Sequence, residues 1–506
     1  MNLTWGQERQ HHCGMGDGFK TAVDLCAKIK AGELSSGEVL SDHIASIEAF
    51  DAAINAVVVR DFDRAQEQAE AADRRRSDMH AAGLGRLHGL PLTVKESFNV
   101  SGLATTWGMT SHCDNVAEQS AEVISRVNAA GAIVFGKTNV PNGLADHQTF
   151  SSLFGRTNNP WNTQLTCGGS SGGSAAALAA GFTSLEIGSD LAGSLRVPAH
   201  FCGVCCHRPS YGLVPQTGHS LSGNPAATDI TVIGPMARSI PDLRLLLDVL
   251  VGPDEFDARG WKIELPRSRA DNLKDFRVAV LANHQACDVD QGIQAAIIDL
   301  AEALRRAGAQ VSDKVEWPID LELCYHDYMV MVRAVGLRHC SLEDLRGLSD
   351  GIASLHEAEM NYRVATRKAA ELTHHGWHAL NERRHAFRLA WRRFFSSYDV
   401  VLCPVHASQA FVHNTDGKRE SRMIHVNGRS QDYNASLFWL AIAGLNYLPV
   451  TVRPIAFANE LPIGIQVIGP YLEDLTTLRF AELLEDLCPR PIYPFECRDL
   501  TAFDFK

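Results

Sequence analysis

The sequence has no long hydrophobic run and no excess of positive charge. No apolar stretch approaches the roughly 20 residues that span a bilayer, which argues against a membrane protein. The 506 residues carry a formal net charge of −12, which disfavours nucleic acid as a partner. The first residues, MNLTWGQERQHHCGM, are too polar for a signal peptide.

A disulfide framework is also missing. The 13 cysteines are an odd number and are scattered without regular spacing. Together with the polar N-terminus, this predicts a reducing, cytoplasmic location. With 45% hydrophobic and 21% charged residues, the chain can bury a large core. We therefore expect a soluble protein whose partners are small, neutral or hydrophobic molecules.

A glycine-rich stretch and a second serine downstream carry the strongest chemical signal. Residues 168–174 read GGSSGGS, and Ser194 follows in the segment GSDLAGSLRVP. Glycine reaches backbone conformations that other residues avoid, so both stretches are predicted to form tightly shaped loops. Successive N–H groups in such a loop can converge on an oxyanion. A phosphate cradle or an ordinary turn would also explain the glycines.

Lys95 is the candidate base that lies upstream of both serines. It follows Leu90, Leu92 and Val94, which alternate with smaller or polar residues as in a strand that enters a core. A lysine activates a serine only when its amine is neutral, and burial lowers its pKa from the usual value of about 10.4. A surface lysine, or one paired with Glu96, is the competing interpretation.

These residues resemble the amidase signature family of serine amidohydrolases, and most of all its free-standing bacterial amidases. The resemblance starts from GGSSGGSAA, GSDLAGSLRVPAHFCGV and LPLTVKES and covers most of the chain in order. The other matching segments are GAIVFGKTNVP (131–141), FGRTNNPWN (154–162), HRPSYGLVPQTGH (207–219), GPMARSIPDL (234–243), YDVVLCPV (398–405), AGLNYLPVTV (443–452) and LPIGIQVIGP (461–470).

The resemblance implies a catalytic triad of Lys95, Ser170 and Ser194. Ser194 would be the nucleophile, and Lys95 would be the base. Ser170 would be the bridging serine, and the peptide bond before it is cis in the family. In this scheme the proton of Ser194 passes to Ser170 while the proton of Ser170 passes to Lys95. No histidine or aspartate takes part.

The resemblance also implies an oxyanion hole and a supporting loop. The hole would use the backbone N–H groups of Leu191, Ala192, Gly193 and Ser194. The loop would be supported by Gly169, Ser171 and Gly172. Many members of the family have two glycines before the nucleophile, whereas this chain has Ala192 and then Gly193. Because an N–H donor needs no particular side chain, we expect this difference to tune the site and not to abolish activity.

The implied reaction is hydrolysis of the carbon–nitrogen bond of a small amide through an acyl-enzyme on Ser194. Aryl amides, carbamates and related esters all stay open as substrates. The alternatives are a glutaminase-type subunit of an amidotransferase and a carbamate-cleaving, urethanase-like hydrolase. The resemblance implies no cofactor and no metal, and a homodimer stays open.

Two motifs of other protein classes, the phosphate loop and the nucleophile elbow, also match the sequence. GAIVFGKT, at 131–138, fits the phosphate-loop pattern, but its four intervening residues are apolar and strand-forming. GSSGG, at 169–173, fits the nucleophile elbow with Ser171 at its centre, but the residues before it are predicted to form a loop instead of a strand. Both patterns are therefore disfavoured.

A cluster of cysteine and histidine resembles part of a metal site. Cys202, Cys205 and Cys206 lie between His200 and His207. No second Cys-x-x-Cys pair or nearby histidine pair completes a structural zinc site. We expect buried free thiols here.

Alternating strand and helix signals predict an α/β fold with a central mixed β-sheet flanked by α-helices. We expect a polar, flexible leader at 1–17 and a single large domain at 18–506. Helices are predicted over 21–31 and 36–50, the second capped by Ser35 or Ser36. A mainly helical excursion at about 255–395 would cover the active site. The segments VVLCPV, LPVTV and GIQVIG would complete the sheet.

Overall fold

The computed structural model describes residues 19–78, 83–221, 224–350 and 360–496. The predicted leader at 1–17 lies outside the described residues, as does part of the predicted excursion. Among the helices that are described, none is long and apolar enough to cross a membrane.

An eleven-stranded sheet organises the described chain, with three small two-stranded sheets beside it. The strands are β1 (Val57–Arg60), β2 (Pro91–Lys95), β3 (Ile133–Thr138), β4 (Phe150–Ser151), β5 (Gly155–Arg156), β6 (Asn158–Asn159), β7 (Asn162–Thr166), β8 (Leu185–Asp190), β9 (Cys205–Arg208), β10 (Val232–Ala237), β11 (Arg277–Val280), β12 (Gln310–Ser312), β13 (Val400–Pro404), β14 (Met423–Val426), β15 (Arg429–Asp432), β16 (Val450–Ala458) and β17 (Leu461–Ile468).

The main sheet has the order β1-β3-β2-β8-β10-β9-β16-β17-β13-β11-β12. Its parallel pairs lie toward the two ends, where β2 pairs with β3 and β8, and β11 pairs with β12 and β13. Its central strands, from β8 to β13, pair antiparallel. The sheet is therefore mixed, as predicted.

Helices cover the sheet. They are α1 (Ala22–Ala31), α2 (Ser36–Ile54), α3 (Phe62–Asp78), α4 (Glu122–Ala129), α5 (Gly172–Ala179), α6 (Arg196–Cys202), α7 (Ile240–Leu250), α8 (Gln291–Arg306), α9 (Leu321–Leu337), α10 (Leu342–Asp350), α11 (Tyr362–Ala370), α12 (His374–Phe394), α13 (Leu437–Gly444) and α14 (Asp474–Leu483). Ser35 caps α2, and Glu38 completes a capping box there. The predicted helices at 21–31 and 36–50 are thus confirmed.

Small residues allow α5 to lie deep in the molecule. Every residue of this helix is buried, and it packs against β2, β3, β8 and β10. A Cβ on Gly173 would lie 2.6 Å from the carbonyl oxygen of Asn139 and closer still to its backbone nitrogen. The glycines and alanines therefore bring the N-terminus of α5 against the ends of the central strands.

The excursion at about 255–395 includes β11 and β12, which form one edge of the sheet. The helical part that stands apart from the sheet begins at α9. The residues before Gly168, predicted to form a loop, contain the small hairpin of β6 and β7. That hairpin is not part of the main sheet, so no sheet strand leads directly into the glycine-rich loop.

The structure also bears on the competing patterns. The phosphate-loop match contains β3, which is a buried strand and has no exposed backbone to bind phosphate. The thiols of Cys202, Cys205 and Cys206 are buried, and burial raises their pKa values, that of Cys205 to about 12. These thiols therefore stay protonated at neutral pH. No group of three metal-ligating side chains occurs within the described ranges.

Candidate active site

Lys95 and Ser170 lie together at the carboxyl end of β2. Lys95 is the last residue of β2, and Ser170 lies in the loop just before α5. The Lys95 Nζ lies 2.7 Å from Ser170 Oγ and 3.0 Å from Ser189 Oγ, within hydrogen-bonding distance of both. The peptide bond between Gly169 and Ser170 is cis. The structure therefore brings together two of the three predicted triad residues.

Burial changes the protonation of Lys95. The side chain is fully buried, and this burial lowers the pKa of the amine to about 7, although Asp190 and Glu186 act in the opposite direction. A large fraction of the amine is thus neutral at neutral pH. A neutral amine with a free electron pair can accept a proton from a hydroxyl at hydrogen-bonding distance.

Glu186 is a second buried titratable group beside this lysine. It lies on β8 opposite Thr93 of β2, and Thr93 Oγ1 donates a hydrogen bond of 2.5 Å to Glu186 Oε1. Burial raises the pKa of Glu186 to about 8. The carboxyl group is therefore mostly protonated at neutral pH, which limits its ability to hold Lys95 in the charged state.

The nucleophile candidate Ser194 lies in the loop between β8 and α6. Parallel strands end at the same edge of a sheet, so the carboxyl ends of β2 and β8 place this loop beside Lys95. Ser194 is buried, with 7% of the residue exposed. Its carbonyl oxygen accepts a hydrogen bond of 3.1 Å from the Ser171 N–H. The described contacts include no hydrogen bond between the hydroxyls of Ser170 and Ser194.

A buried ion pair fixes the shape of this loop. Arg196 donates from Nε to Asp190 Oδ2 and from Nη2 to Asp190 Oδ1, both at 3.0 Å. Burial alone would raise the pKa of Asp190, but the guanidinium groups of Arg196 and Arg208 hold it well below its usual range. The ionised carboxylate also accepts the N–H groups of Gly193 at 2.9 Å and Leu195 at 3.1 Å.

This contact corrects one part of the predicted oxyanion hole. The Gly193 N–H, predicted to donate to the oxyanion, donates to Asp190 instead. The N–H groups of Leu191, Ala192 and Ser194 have no acceptor within the described part of the chain. Three of the four predicted donors are thus available.

Two side chains hold the carbonyl groups of the same loop. Tyr328, on α9, donates from its hydroxyl to the Leu191 carbonyl oxygen at 2.9 Å. His147 Nε2 lies 2.7 Å from the Ala192 carbonyl oxygen and serves as the donor. Burial lowers the pKa of His147 to about 3, with Arg419 acting in the same direction, so its ring is neutral.

The predicted supporting residues pack tightly beneath the site. A Cβ on Gly169 would lie 2.6 Å from the Asp146 carbonyl oxygen, and one on Gly172 would overlap Thr149. Ser171 is fully buried, and its hydroxyl donates to the Ser189 carbonyl oxygen at 3.3 Å. This contact leaves Ser171 unsuited to the nucleophile role that the elbow pattern would give it.

Several site residues escaped the sequence reasoning. Ser189, which contacts Lys95, and Arg196, which holds Asp190, both lie within the segment around Ser194. Opposite charges six residues apart could have suggested the ion pair. Tyr328 gave no local signal, because its contact with Leu191 joins residues 137 positions apart.

Asp146 and two aromatic residues of α13 are buried. Asp146 is held by Arg422 Nη1 at 2.6 Å and by the Tyr433 hydroxyl at 2.5 Å. Phe438 and Trp439 are fully buried in α13. These two aromatic rings therefore belong to the core.

A family model and several known proteins match this chain over most of its length. The family model described as Amidase matches residues 38–478. The chain is 33% identical to an indoleacetamide hydrolase of Bradyrhizobium diazoefficiens, over 90% of this chain and 84% of that protein. It is also 33% identical to an acylamidase of Rhodococcus erythropolis, over 93% and 95%. A glutamyl-tRNA(Gln) amidotransferase subunit of Methylococcus capsulatus is 30% identical, over 91% and 96%.

The fold has a solved counterpart. A bacterial aryl acylamidase of the amidase signature family superposes with a TM-score of 0.79 at 24% identity, covering 95% of this chain and 98% of that one. At that identity the likeness establishes the fold. The α/β architecture with its central mixed sheet is therefore that of the amidase signature structures.

Proposed function

The chain belongs to the amidase signature family and is an amidase, and we propose that it hydrolyses a small amide through an acyl-enzyme on Ser194. The observation that carries the proposal is the buried amine of Lys95 at 2.7 Å from Ser170 Oγ, beside the loop of Ser194. A buried lysine of lowered pKa next to a serine hydroxyl is suited to proton transfer at neutral pH.

In the proposed first step, Ser194 Oγ attacks the amide carbonyl carbon. Its proton passes to Ser170 Oγ while the Ser170 proton passes to the neutral Lys95 amine. The tetrahedral intermediate then collapses, the carbon–nitrogen bond breaks, and the relay returns a proton to the departing amine. Because the two serine hydroxyls share no hydrogen bond in the free protein, we expect this link to form when substrate binds.

In the second step, water hydrolyses the ester on Ser194. The same relay removes a proton from the water and returns one to Ser194 Oγ, which releases the carboxylic acid. The negative oxygen of both tetrahedral intermediates would be stabilised by the backbone N–H groups of Leu191, Ala192 and Ser194. Removal of a single donor of this kind typically costs about 10²–10³-fold in kcat.

The proposed substrate class is broad and includes several kinds of carbonyl compound. An indoleacetamide hydrolase and an acylamidase are among the similar proteins, which supports an aryl or alkyl amide. Carbamates and esters share the carbonyl centre and belong in the same test.

We also propose that 18–506 forms one domain and that helices α9 to α12 cover the site. The Tyr328 contact from α9 to the Ser194 loop supports that role.

A glutaminase-type subunit is the second candidate function. It is favoured by the 30% identity to the glutamyl-tRNA(Gln) amidotransferase subunit of Methylococcus capsulatus. Such a subunit would prefer glutamine and would pass ammonia to a partner, so its activity in isolation should be confined to glutamine.

The experiment that separates these functions uses the purified single chain. Release of amine or ammonia is measured with aryl amides, alkyl amides, carbamates and glutamine, release of the alcohol is measured with esters, and Ser194→Ala is assayed alongside. We expect turnover of non-glutamine amides that disappears in Ser194→Ala. Hydrolysis of glutamine alone would support the glutaminase-type function. Undiminished turnover by Ser194→Ala would overturn the assignment of the nucleophile.

A further inference from the structure

We propose that Tyr328 is a positioning residue that directs the Ala192 N–H toward the oxyanion, so that helix α9 controls the quality of the oxyanion hole. This inference rests on the proposed function, because it assigns a role within the same acyl-transfer site. Tyr328 lies outside the glycine-rich and serine-containing segments, on a helix that packs against α11 and α13.

The geometry follows from the planar peptide group. The Leu191 carbonyl and the Ala192 N–H belong to one peptide, and in a trans peptide these two groups point in opposite directions. Within the described residues the bond between Gly169 and Ser170 is the only cis peptide. The Tyr328 hydroxyl holds the Leu191 carbonyl oxygen at 2.9 Å. This contact therefore fixes the opposite direction for the Ala192 N–H, which has no acceptor within the described residues.

The neighbouring peptide shows what such an anchor does. His147 holds the Ala192 carbonyl oxygen at 2.7 Å. The Gly193 N–H on the opposite side of that peptide donates to Asp190 at 2.9 Å. One anchored carbonyl thus directs an N–H into the interior, whereas the Tyr328 anchor leaves an N–H that is free to bind a ligand oxygen. Leu191 and Ala192 are partly exposed, as a site open to ligand requires.

Tyr328 is itself held firmly. Its side chain is fully buried, and burial raises the pKa of its hydroxyl to about 12, so the group remains a donor at neutral pH. A Cβ on Gly444 would lie 2.6 Å from the Tyr328 hydroxyl oxygen and 2.7 Å from its ring. The glycine at this point in α13 allows the ring to approach so closely. Little freedom remains for the hydroxyl to move away from Leu191.

The competing explanation is that the hydroxyl only satisfies a buried carbonyl group. That role would affect stability, or would weaken the binding of substrate and transition state equally. A positioning role would weaken the binding of the transition state alone. Tyr328→Phe removes the hydroxyl and keeps the ring. Tyr325→Phe is the matched control, because Tyr325 is buried on the same helix and its hydroxyl has no acceptor in the described part of the chain.

The experiment measures kcat and KM with the best amide from the substrate panel. It also measures inhibition by the aldehyde and by the primary alcohol that carry the same acyl skeleton. The aldehyde adds Ser194 Oγ to its carbonyl and places an oxyanion in the hole, whereas the alcohol occupies the site without reacting. We expect Tyr328→Phe to lower kcat about 10-fold, less than the loss of a whole donor. The KM, the midpoint of the pH profile and the alcohol affinity should not change.

Aldehyde affinity should fall by the same factor as kcat, and Tyr325→Phe should behave as the wild type. Equal kcat values for the two variants would overturn the proposal, as would a parallel loss of aldehyde and alcohol affinity. The ratio of these two affinities is informative even for a destabilised variant. Failure of the proposed function itself would be recognised separately, by turnover that survives in Ser194→Ala.

Discussion

At the scale of single residues, the protonation state of Lys95 decides whether the site can act. Its amine is fully buried next to Ser170 and Ser189. Desolvation disfavours the charged form, and Glu186, whose pKa is raised by burial, is mostly protonated at neutral pH. The end of β2 thus carries a candidate base without any histidine.

The first prediction concerns replacement of that amine. Lys95→Met should lower kcat by about 10²–10⁴-fold, the usual contribution of a general base. Because methionine fills a similar volume without introducing a buried charge, the fold should persist. The two effects are checked by steady-state kinetics and by thermal unfolding of the same preparation. Retention of more than a tenth of the wild-type kcat would argue against a base at this position.

The second prediction concerns pH. The relay needs neutral Lys95, whose pKa is lowered to about 7 by burial. The ratio kcat/KM should therefore rise with pH, by about 10-fold per unit well below pH 7, and level off above it. A profile measured with an uncharged amide avoids titration of the substrate. A flat profile between pH 5 and 9, with chemistry limiting the rate, would contradict this role.

The candidate triad residues could be proposed from the sequence because they lie in short, distinctive segments. The direction of each loop amide could not, because it depends on side chains that are far apart in the chain. Asp190 redirects Gly193, and Tyr328 reaches Leu191 from α9. Only the folded loop reveals which predicted donors are free.

At the scale of elements, close packing of α5 against the strand ends positions Ser170. The helix begins at Gly172, two residues after Ser170, and Gly173 touches the backbone of Asn139. The small side chains of this segment are visible in the sequence. Its packing partners are not, because β2, β3 and β10 come from distant parts of the chain and only β8 follows directly.

The third prediction tests this packing. Gly173→Ala would force α5 away from Asn139 and should destabilise the protein by about 1–3 kcal/mol or more, as overpacking does. Gly347→Ala is the control, since a Cβ at this exposed helical glycine of α10 meets nothing within 4 Å. It should stabilise the protein by up to about 1 kcal/mol. Thermal unfolding compares the two variants, and equal unfolding temperatures would contradict the packing account.

At the scale of the whole molecule, one sheet joins segments from residue 57 to residue 468. The apolar strands near both ends of the chain were predictable, because buried strands have continuous hydrophobic runs. Their order was not, because β9 pairs with β16 across more than two hundred residues. For the same reason the place of β11 and β12 in the sheet could not be predicted.

A buried arginine joins α12, one of the helices that cover the sheet, to the loop before β10. Arg384, on α12, donates to both carboxylate oxygens of Asp229 at 3.0 and 2.9 Å and lies over the ring of Tyr447, 4.6 Å from its centre. Only 5% of its side chain is exposed, compared with 27% for Asp229. The pair therefore joins the helical layer to the loop before β10.

The fourth prediction follows from this contact. Arg384→Ala should destabilise the protein by about 1–3 kcal/mol, because the partly exposed Asp229 loses its ion-pair partner and a buried cavity forms. Arg388→Ala, one turn further along α12, is the control. Arg388 covers the rings of Tyr447 and Tyr471 without an ion pair among the described residues. Equal thermal stability of the two variants would show that the ion pair does not hold the layer.

Ser194 is the proposed nucleophile. The most direct test treats the protein with a fluorophosphonate, which forms a bond to an activated serine oxygen and releases fluoride, and then locates the adduct by peptide mass mapping. We expect a single adduct on Ser194, slower labelling in the presence of the best amide, and no adduct in Ser194→Ala. An adduct on another residue, together with undiminished amide turnover by Ser194→Ala, would contradict it.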